Sequence, residues 1–142
     1  MQAEELIHKF VAVLNKKIPV GSLMNALGHM AAGLAASYPT ISAMRFDTYF
    51  DQNGGTHKSI SDNPFIILQA DNGNQIRNLR KELMANNIHF VDFTDTMTVG
   101  TYAEQKERTK NTPEEQLEYY GICMFGDKTI LNQLTKKFSL WR

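Results

Sequence analysis

Two groups of polar side chains have the types that hydrolytic chemistry requires. Asn15, Lys16 and Lys17 directly follow an apolar run, and Thr94 and Asp95 close a second β-rich segment. An ammonium group polarises a carbonyl oxygen, and a carboxylate orients or deprotonates water. If both segments are strands whose carboxyl ends share one edge of a sheet, these side chains lie close together.

A third polar group lies on one face of a helix predicted for residues 20–37. Ser22, Asn25 and His29 are each about one turn from the next, so their side chains share a stripe along the helix. Pro19, placed just before this helix, fixes φ where a missing N–H group costs little. We expect the stripe to face the two polar strand ends.

Three of these side chains are interpreted as catalytic. Asp95 orients or deprotonates water, Lys17 polarises the carbonyl, and His29 shuttles a proton or positions the substrate. An alternative for His29 is a structural role, in which a backbone carbonyl or water accepts its hydrogen bond. The side chains expected to bind substrate are Asn15, Lys16, Ser22, Asn25 and Thr94.

Alternating strands and helices must position these groups. Apolar runs and alternating patterns predict strands at residues 6–14, 44–51, 57–60, 65–68, 88–95, 119–125 and 138–141, and helical spacing predicts helices at 20–37, 76–84 and around 130–134. This order is typical of a single α/β domain over residues 1–142. We expect a three-layer sandwich with a mixed, mostly parallel sheet and helices on both faces.

Two segments are less regular. Residues 44–51 alternate apolar and polar side chains, which predicts a half-buried strand, and the sequence QNGG at 52–55 predicts a tight turn into a short partner at 57–60. We expect this hairpin at a sheet edge or in a partner contact. Residues 97–112 are the most polar stretch and predict either a short surface helix or a mobile flap over the site.

Composition limits the partners and the location. Fifteen Lys and Arg residues balance fifteen Asp and Glu residues in a chain of 142, so no net field attracts polyanions. No apolar run approaches the roughly twenty residues of a membrane helix, and residues 1–5 are polar rather than a secretion signal. We therefore expect a cytoplasmic protein without a membrane partner.

No motif calls for a metal or an organic cofactor, and we expect neither. His8, His29, His57 and His89 are scattered without the paired spacing of a zinc site. Glycine-rich phosphate loops and dinucleotide motifs are missing from the sequence. Cys123, the single cysteine, excludes an internal disulfide, and its apolar surroundings predict a core position.

The two ends of the sequence resemble one family. Residues 15–33 follow the pattern N-K-x-x-P-x-G-x-x-x-N-A-x-x-H-x-A-A-G, and the chain ends on an aliphatic strand, a glycine and L-T-x-x-x-x-L-W-R. This resembles the second, archaeal/eukaryotic type of peptidyl-tRNA hydrolase, and more closely an uncharacterised bacterial branch of that superfamily, a domain of unknown function. The matching residues are Asn15, Lys16, Pro19, Gly21, Asn25, Ala26, His29, Ala31, Ala32, Gly33, Gly126, Leu134, Thr135, Leu140, Trp141 and Arg142.

The resemblance implies a peptidyl-tRNA hydrolase II-like fold and an active-site aspartate at Asp95. Two positions depart from the hydrolases. The glycine of their D-x-G turn is Met97 here, and their lysine seven residues before the histidine is Ser22. Lys16 or Lys17 would have to supply the missing charge, so we expect a small-molecule or acyl-ester substrate rather than peptidyl-tRNA.

An RNA partner has one further candidate surface. Arg77, Arg80 and Lys81 share the polar face of the helix predicted for residues 76–84. Such a face is either solvated or a contact for an RNA backbone. We favour the solvated face, so tRNA stays a minor alternative.

Two functions from different classes therefore remain. The first is a hydrolase acting on an ester or amide. The second is a non-catalytic module that binds a small ligand or self-associates, and we expect a homodimer. Small residues on the first helix and an aromatic strand would carry this second function: Gly28, Ala32, Phe46, Tyr49 and Phe50.

Overall fold

The computed structural model describes residues 7–142, so the predicted strand start at Leu6 and the polar residues 1–5 lie outside it. Seven strands and four helices follow one another: β1 (His8–Asn15), α1 (Val20–Ser37), β2 (Phe46–Phe50), β3 (Thr56–Ser61), β4 (Phe65–Ala70), α2 (Gly73–Ala85), β5 (His89–Thr94), α3 (Tyr102–Lys110), β6 (Tyr119–Asp127), α4 (Lys128–Thr135) and β7 (Ser139–Leu140). Short 3₁₀ turns occupy Ile41–Met44, Asp95–Met97 and Glu114–Gln116. No helix within 7–142 has both the length and the apolarity to cross a bilayer.

Five strands form a mixed sheet in the order β5-β6-β1-β4-β7. β1 and β4 are parallel, whereas β1–β6, β5–β6 and β4–β7 are antiparallel. The prediction of a mostly parallel sheet is therefore wrong. The connection from β5 to β6 causes the difference, because Asp95 follows β5 and bonds back to Glu118 at the start of β6. Because the chain between β5 and β6 does not cross to the opposite end of the sheet, β6 must run antiparallel to β5.

Helices cover both faces of this sheet, as predicted for an α/β domain. The central strand β1 has Val11, Ala12 and Val13 fully buried. Successive side chains of a strand point to opposite faces, so Ala12 packs with the α1 layer and its two neighbours pack with α2 and α4. Cys123 is also fully buried, as predicted, and burial raises the pKa of its thiol to about 12. The buried apolar residues of the helices are Leu23, Ala26, Met30, Leu34, Ile76, Leu79, Leu83 and Leu131.

The hairpin β2–β3 is a separate two-stranded sheet. All residues of β2 are exposed, so the predicted half-buried strand is wrong. Residues 46–50 do alternate, but neither side of β2 is covered because the hairpin pairs with no strand of the main sheet. Arg45, just before β2, adopts a left-handed conformation with φ of 53°. Met44, in the preceding 3₁₀ turn, is the residue that enters the core. The hairpin therefore projects from the domain instead of packing on the main sheet.

Candidate functional site

A cavity of about 530 Å³ lies at the edge of the sheet where β1 and β5 end and β6 begins. Its walls come from the first half of α1, the end of β5, the turn after it, α3 and β6. None of the lining residues carries a charged side chain, among residues 7–142. They are Gly21, Ser22, Asn25, His29, Phe93, Met97, Thr98, Tyr102, Gln105 and Tyr120.

Three rings form one wall of the cavity. The His29 imidazole lies 5.9 Å from the Phe93 ring, with 29° between their planes, and the Phe93 ring lies 6.1 Å from that of Tyr120. Burial, together with the charges of Glu118 and Asp95, raises the pKa of Tyr120. The Tyr120 hydroxyl therefore remains a neutral donor through the physiological range.

The amino-terminal end of α1 meets the same cavity. Gly21 and Ser22 belong to its first turn, which has no acidic residue and no side-chain cap. The partial positive charge at the start of this long helix is therefore not balanced by a local carboxylate. A hydrogen-bond acceptor or an anion at this end of the cavity is stabilised.

Three of the predicted site residues come together in this cavity. Ser22, Asn25 and His29 all line it from the exposed face of α1. The His29 imidazole forms no hydrogen bond with any residue in 7–142, so the structural alternative of a bond to a backbone carbonyl is not realised there. Its ring nitrogens are free to bond a ligand or water.

The polar residues after β1 are engaged elsewhere. Asn15 is buried, and its side chain donates to the Tyr119 carbonyl at 3.1 Å and accepts from the Lys17 amide at 3.0 Å. The Lys16 ammonium lies 2.9 Å from Asp71 and lowers the pKa of that carboxyl. Lys17 is exposed. Asn15 thus joins two strand ends, and neither lysine lines the cavity.

The polar residues after β5 hold the adjoining turn. The Thr94 hydroxyl is buried 2.7 Å from that of Thr96. Asp95 accepts a hydrogen bond from the Glu118 amide through Oδ1 at 2.9 Å, and its own amide donates to the Glu118 carbonyl at 2.9 Å. Asp95 does not line the cavity, and its negative charge acts there by raising the pKa of Tyr120.

Sequence reasoning missed the far wall of the cavity. Tyr120 was overlooked because a mostly parallel sheet puts the start of β6 at the opposite edge. Tyr102 and Gln105 belong to α3, the surface helix that was one of two alternatives for the polar segment. The pattern T-x-x-E at Thr101 and Glu104 was an available signal, since these residues form a capping box at the start of α3.

Two arginines of the basic helix face are held by carboxylates. Arg77 lies 2.9 Å from Glu114, and Arg80 lies 2.9 Å from Asp92. These pairs reduce the charge that the face of α2 presents to solvent. Across residues 7–142, no three His, Cys, Asp or Glu side chains are grouped closely enough to hold a metal ion.

The fold and the cavity define a class: an α/β domain with a ligand-sized site at one sheet edge. The chain belongs to the family described as "Protein of unknown function (DUF2000)", whose model matches residues 8–142. No curated protein is detectably similar. Among solved structures, a protein of unknown function from Agrobacterium tumefaciens strain C58 is similar with a TM-score of 0.82 and 16% identity, over 97% of this chain and 100% of that one. The likeness at this identity concerns the fold.

Proposed function

We propose that the cavity binds a small organic molecule with a planar or apolar body and one hydrogen-bond acceptor or weak acid group. The observation that carries this proposal is the three-ring wall of His29, Phe93 and Tyr120 beside the uncapped start of α1. Aromatic rings attract a flat ligand in offset or edge-on arrangements. The helix terminus attracts an acceptor or an anion.

The dimensions and polarity of the cavity agree with such a ligand. Sites for small molecules usually measure about 300–1,000 Å³ and combine apolar walls with a few polar groups, and this cavity measures about 530 Å³. The polar groups of its lining include the Asn25 and Gln105 amides, the Tyr120 hydroxyl and the His29 imidazole. Because no lysine or arginine lines the cavity, within residues 7–142, a neutral or singly charged ligand suits it better than a polyanion.

Hydrolysis of an ester or amide is the second candidate. The observation that favours it is the His29 imidazole, which faces the cavity without an internal hydrogen bond in residues 7–142 and is available to accept a proton from water. Ser22 does not serve as a nucleophile activated by His29, because two helical turns separate them by about 10 Å. Asp95 would act through Tyr120, and Lys17 would have to move inward to polarise a carbonyl.

The resemblance to type-two peptidyl-tRNA hydrolases belongs with this second candidate. It supports an ester substrate, while Ser22 at the position of their lysine removes a charge that would stabilise an oxyanion. Cytoplasmic location and a bacterial source are part of the same proposal. Peptidyl-tRNA itself is the least favoured substrate, since its phosphates would meet a cavity that no lysine or arginine of residues 7–142 lines.

Calorimetric titration with benzoate and benzamide tests the binding proposal. We expect His29→Gln and Asn25→Ala to weaken binding about tenfold or more, because each removes a polar contact in the site. Asn78→Ala is the matched control for Asn25→Ala, since both asparagines are exposed in the middle of a helix. Equal affinities for Asn25→Ala and Asn78→Ala would contradict the proposal.

Cleavage of para-nitrophenyl acetate separates the two candidates. If the protein is a hydrolase, His29→Gln should abolish turnover. His8→Gln, at a residue in a different surface depression, should leave turnover unchanged. Binding without catalysis predicts that both variants and the parent protein cleave the ester at the same background rate. Loss of activity in both variants to the same extent would exclude a specific role for His29.

A further inference from the structure

An apolar groove lies between helix α1 and the base of the β2–β3 hairpin. It measures about 440 Å³, and α1 contributes Ala31, Ala32 and Ala35 to its lining. Its other walls include the rings of Phe46 and Phe65, which are 46% and 40% exposed. Because alanine side chains are short, the helix leaves open space beside these two rings. We call this feature the alanine groove.

Two of the residues predicted to carry small-ligand binding or self-association line this groove. They are Ala32 and Phe46, whereas Gly28, Tyr49 and Phe50 do not line it. The base of the hairpin thus forms part of the groove, and the tip beyond Tyr49 lies outside it. A volume of this size is within the range of about 300–1,000 Å³ that is usual for small-molecule sites.

A pair of stacked aromatic rings forms one wall of the groove. The ring centroids of Phe10 and Phe65 are 5.0 Å apart, with 8° between the ring planes. Phe10 is buried, whereas Phe65 keeps part of its ring open to the groove. A flat ligand extends such a stack in an offset arrangement. No charged side chain lines the groove, among residues 7–142, so its walls favour an uncharged aromatic body.

One hydrogen-bond acceptor in the lining of the groove has no partner. Asn63 is only 7% exposed, and its Nδ2 donates to the carbonyls of Ala43 and Met44 at 3.2 and 2.9 Å. Only the amide nitrogen can donate to two carbonyls, so the orientation of the amide is fixed. No residue in 7–142 donates to Oδ1. Every fully buried polar atom of the non-exposed side chains in that range is hydrogen-bonded, so Oδ1 reaches open space, where a ligand donor stabilises it.

Hydrogen bonds hold this part of the groove in shape before any ligand binds. The bonds of Asn63 join the segment before β2 to the connection between β3 and β4. The Ser61 hydroxyl donates to the Met44 carbonyl and accepts from the Asn63 amide at 3.1 Å. The Phe10 amide donates to the Pro64 carbonyl at 2.8 Å, which ties the same connection to β1. Binding in a groove that is already formed costs little conformational entropy.

We propose that the alanine groove is a second small-molecule site, which binds an uncharged planar molecule carrying one N–H or O–H donor. The ring system of the ligand lies between the Phe65 ring and the alanines of α1, and its donor bonds Asn63 Oδ1. The alanine groove and the cavity at the start of α1 share no lining residue. The cavity stabilises an acceptor, whereas the groove stabilises a donor, so the two sites select different ligands and bind them independently.

NMR of protein labelled at its alanine methyl groups tests this site during titration with indole. The signals of the three groove alanines should move with saturation. Ala36 is exposed on the same helix outside the groove, so its signal should stay in place. Benzofuran has nearly the shape of indole, with an oxygen instead of the N–H group. It should bind at least about fivefold more weakly, because it leaves Asn63 Oδ1 without a donor.

A matched pair of variants tests the same site from the protein side. Ala31→Leu fills the groove with a larger helix-forming side chain and should weaken indole binding at least about tenfold. Ala36→Leu makes the same change outside the groove and should leave indole binding unchanged. Saturating benzoate, the ligand chosen for the cavity beside His29, should leave the affinity for indole unchanged as well. The comparison of indole with benzofuran uses the parent protein and depends on no substitution.

Four results would overturn the proposal. Indole may not move the signals of the groove alanines at any concentration up to its solubility limit. Indole and benzofuran, or the two leucine variants, give equal affinities. Benzoate displaces indole, which would place indole in the cavity beside His29. The groove signals move on dilution of the protein but not with indole, which would show that a second copy of the chain fills the groove.

Discussion

The two halves of helix α1 present different surfaces from the same backbone. The first half faces the cavity with Ser22, Asn25 and His29, and the second half faces the groove with Ala32 and its small neighbours. Both halves share one buried stripe against the sheet. The stripe stabilises the fold, so the two exposed surfaces are free to differ in chemistry. The first surface is polar, and the second is apolar and built of small side chains.

The largest expected effect concerns the shared buried stripe. Leu34 is fully buried against the sheet, and Leu34→Ala should lower the free energy of unfolding by about 3 kcal/mol, since it leaves a cavity in the core. Met24→Ala, at a residue 68% exposed on the same helix, should change it by less than about 0.5 kcal/mol. Urea unfolding measures both. If both variants lowered the free energy of unfolding equally, the exposed residues of α1 would contribute to stability as much as the buried ones.

A moderate effect on stability is expected from the Tyr119 hydroxyl, which lies in the core beside the cavity wall. The Tyr119 hydroxyl donates to Glu114 at 2.9 Å, and burial and this bond raise its pKa to about 12. The unfolded chain ionises this hydroxyl near its ordinary pKa of about 10, so stability is full below pH 10 and falls as the pH rises toward 12.

Tyr119→Phe tests this effect. It should lower the free energy of unfolding by about 1 kcal/mol at neutral pH and flatten its decline between pH 10 and 12. Tyr102→Phe is the control, since Tyr102 is 66% exposed on α3 and its removal leaves the Tyr119–Glu114 bond intact. Urea unfolding at pH 7, 10 and 11.5 measures the difference. A decline of the same slope in Tyr119→Phe and in the parent would contradict the assignment.

The smallest effect concerns Asp95, whose charge adds to burial and to the charge of Glu118 in raising the pKa of Tyr120. Asp95→Asn keeps an oxygen for the Glu118 amide and removes the charge, so the pKa of Tyr120 should fall slightly, while burial and Glu118 still hold it above its ordinary value. Stability should change by less than about 1 kcal/mol. Ultraviolet titration, with Tyr120→Phe to identify the transition, measures the shift. An unchanged transition would mean that the charge does not reach the cavity.

Local patterns in the sequence determined much of the fold correctly. The apolar run before Asn15 predicted a strand, which is β1, and helical spacing at residues 20–37 and 76–84 predicted the helices α1 and α2. The direction of β6 was not predictable in this way. It depends on where residues 95–118 return to the sheet, and the bonds between Asp95 and Glu118 that decide this join residues far apart in the chain.

The candidate site likewise contains residues that local patterns predict and residues whose positions depend on distant contacts. Helical spacing predicted that Ser22, Asn25 and His29 share one face of the helix, and all three line the cavity. Tyr120 was missed because its position depends on the direction of β6. For the hairpin, alternation predicted strands correctly, and the predicted burial of β2 is wrong because the hairpin pairs with no strand of the main sheet. Sequence patterns thus predict which segments form strands and helices better than they predict which segments meet.

The central claim is that the cavity beside His29 binds a small molecule. The chain has four histidines, at positions 8, 29, 57 and 89, so a proton–carbon NMR spectrum of the imidazole groups during titration with benzoate tests the claim within one sample. We predict that the His29 signals move with saturation and that those of His8, His57 and His89 stay in place. Unmoved His29 signals, or shifts at His8 and His89 instead, would contradict the account.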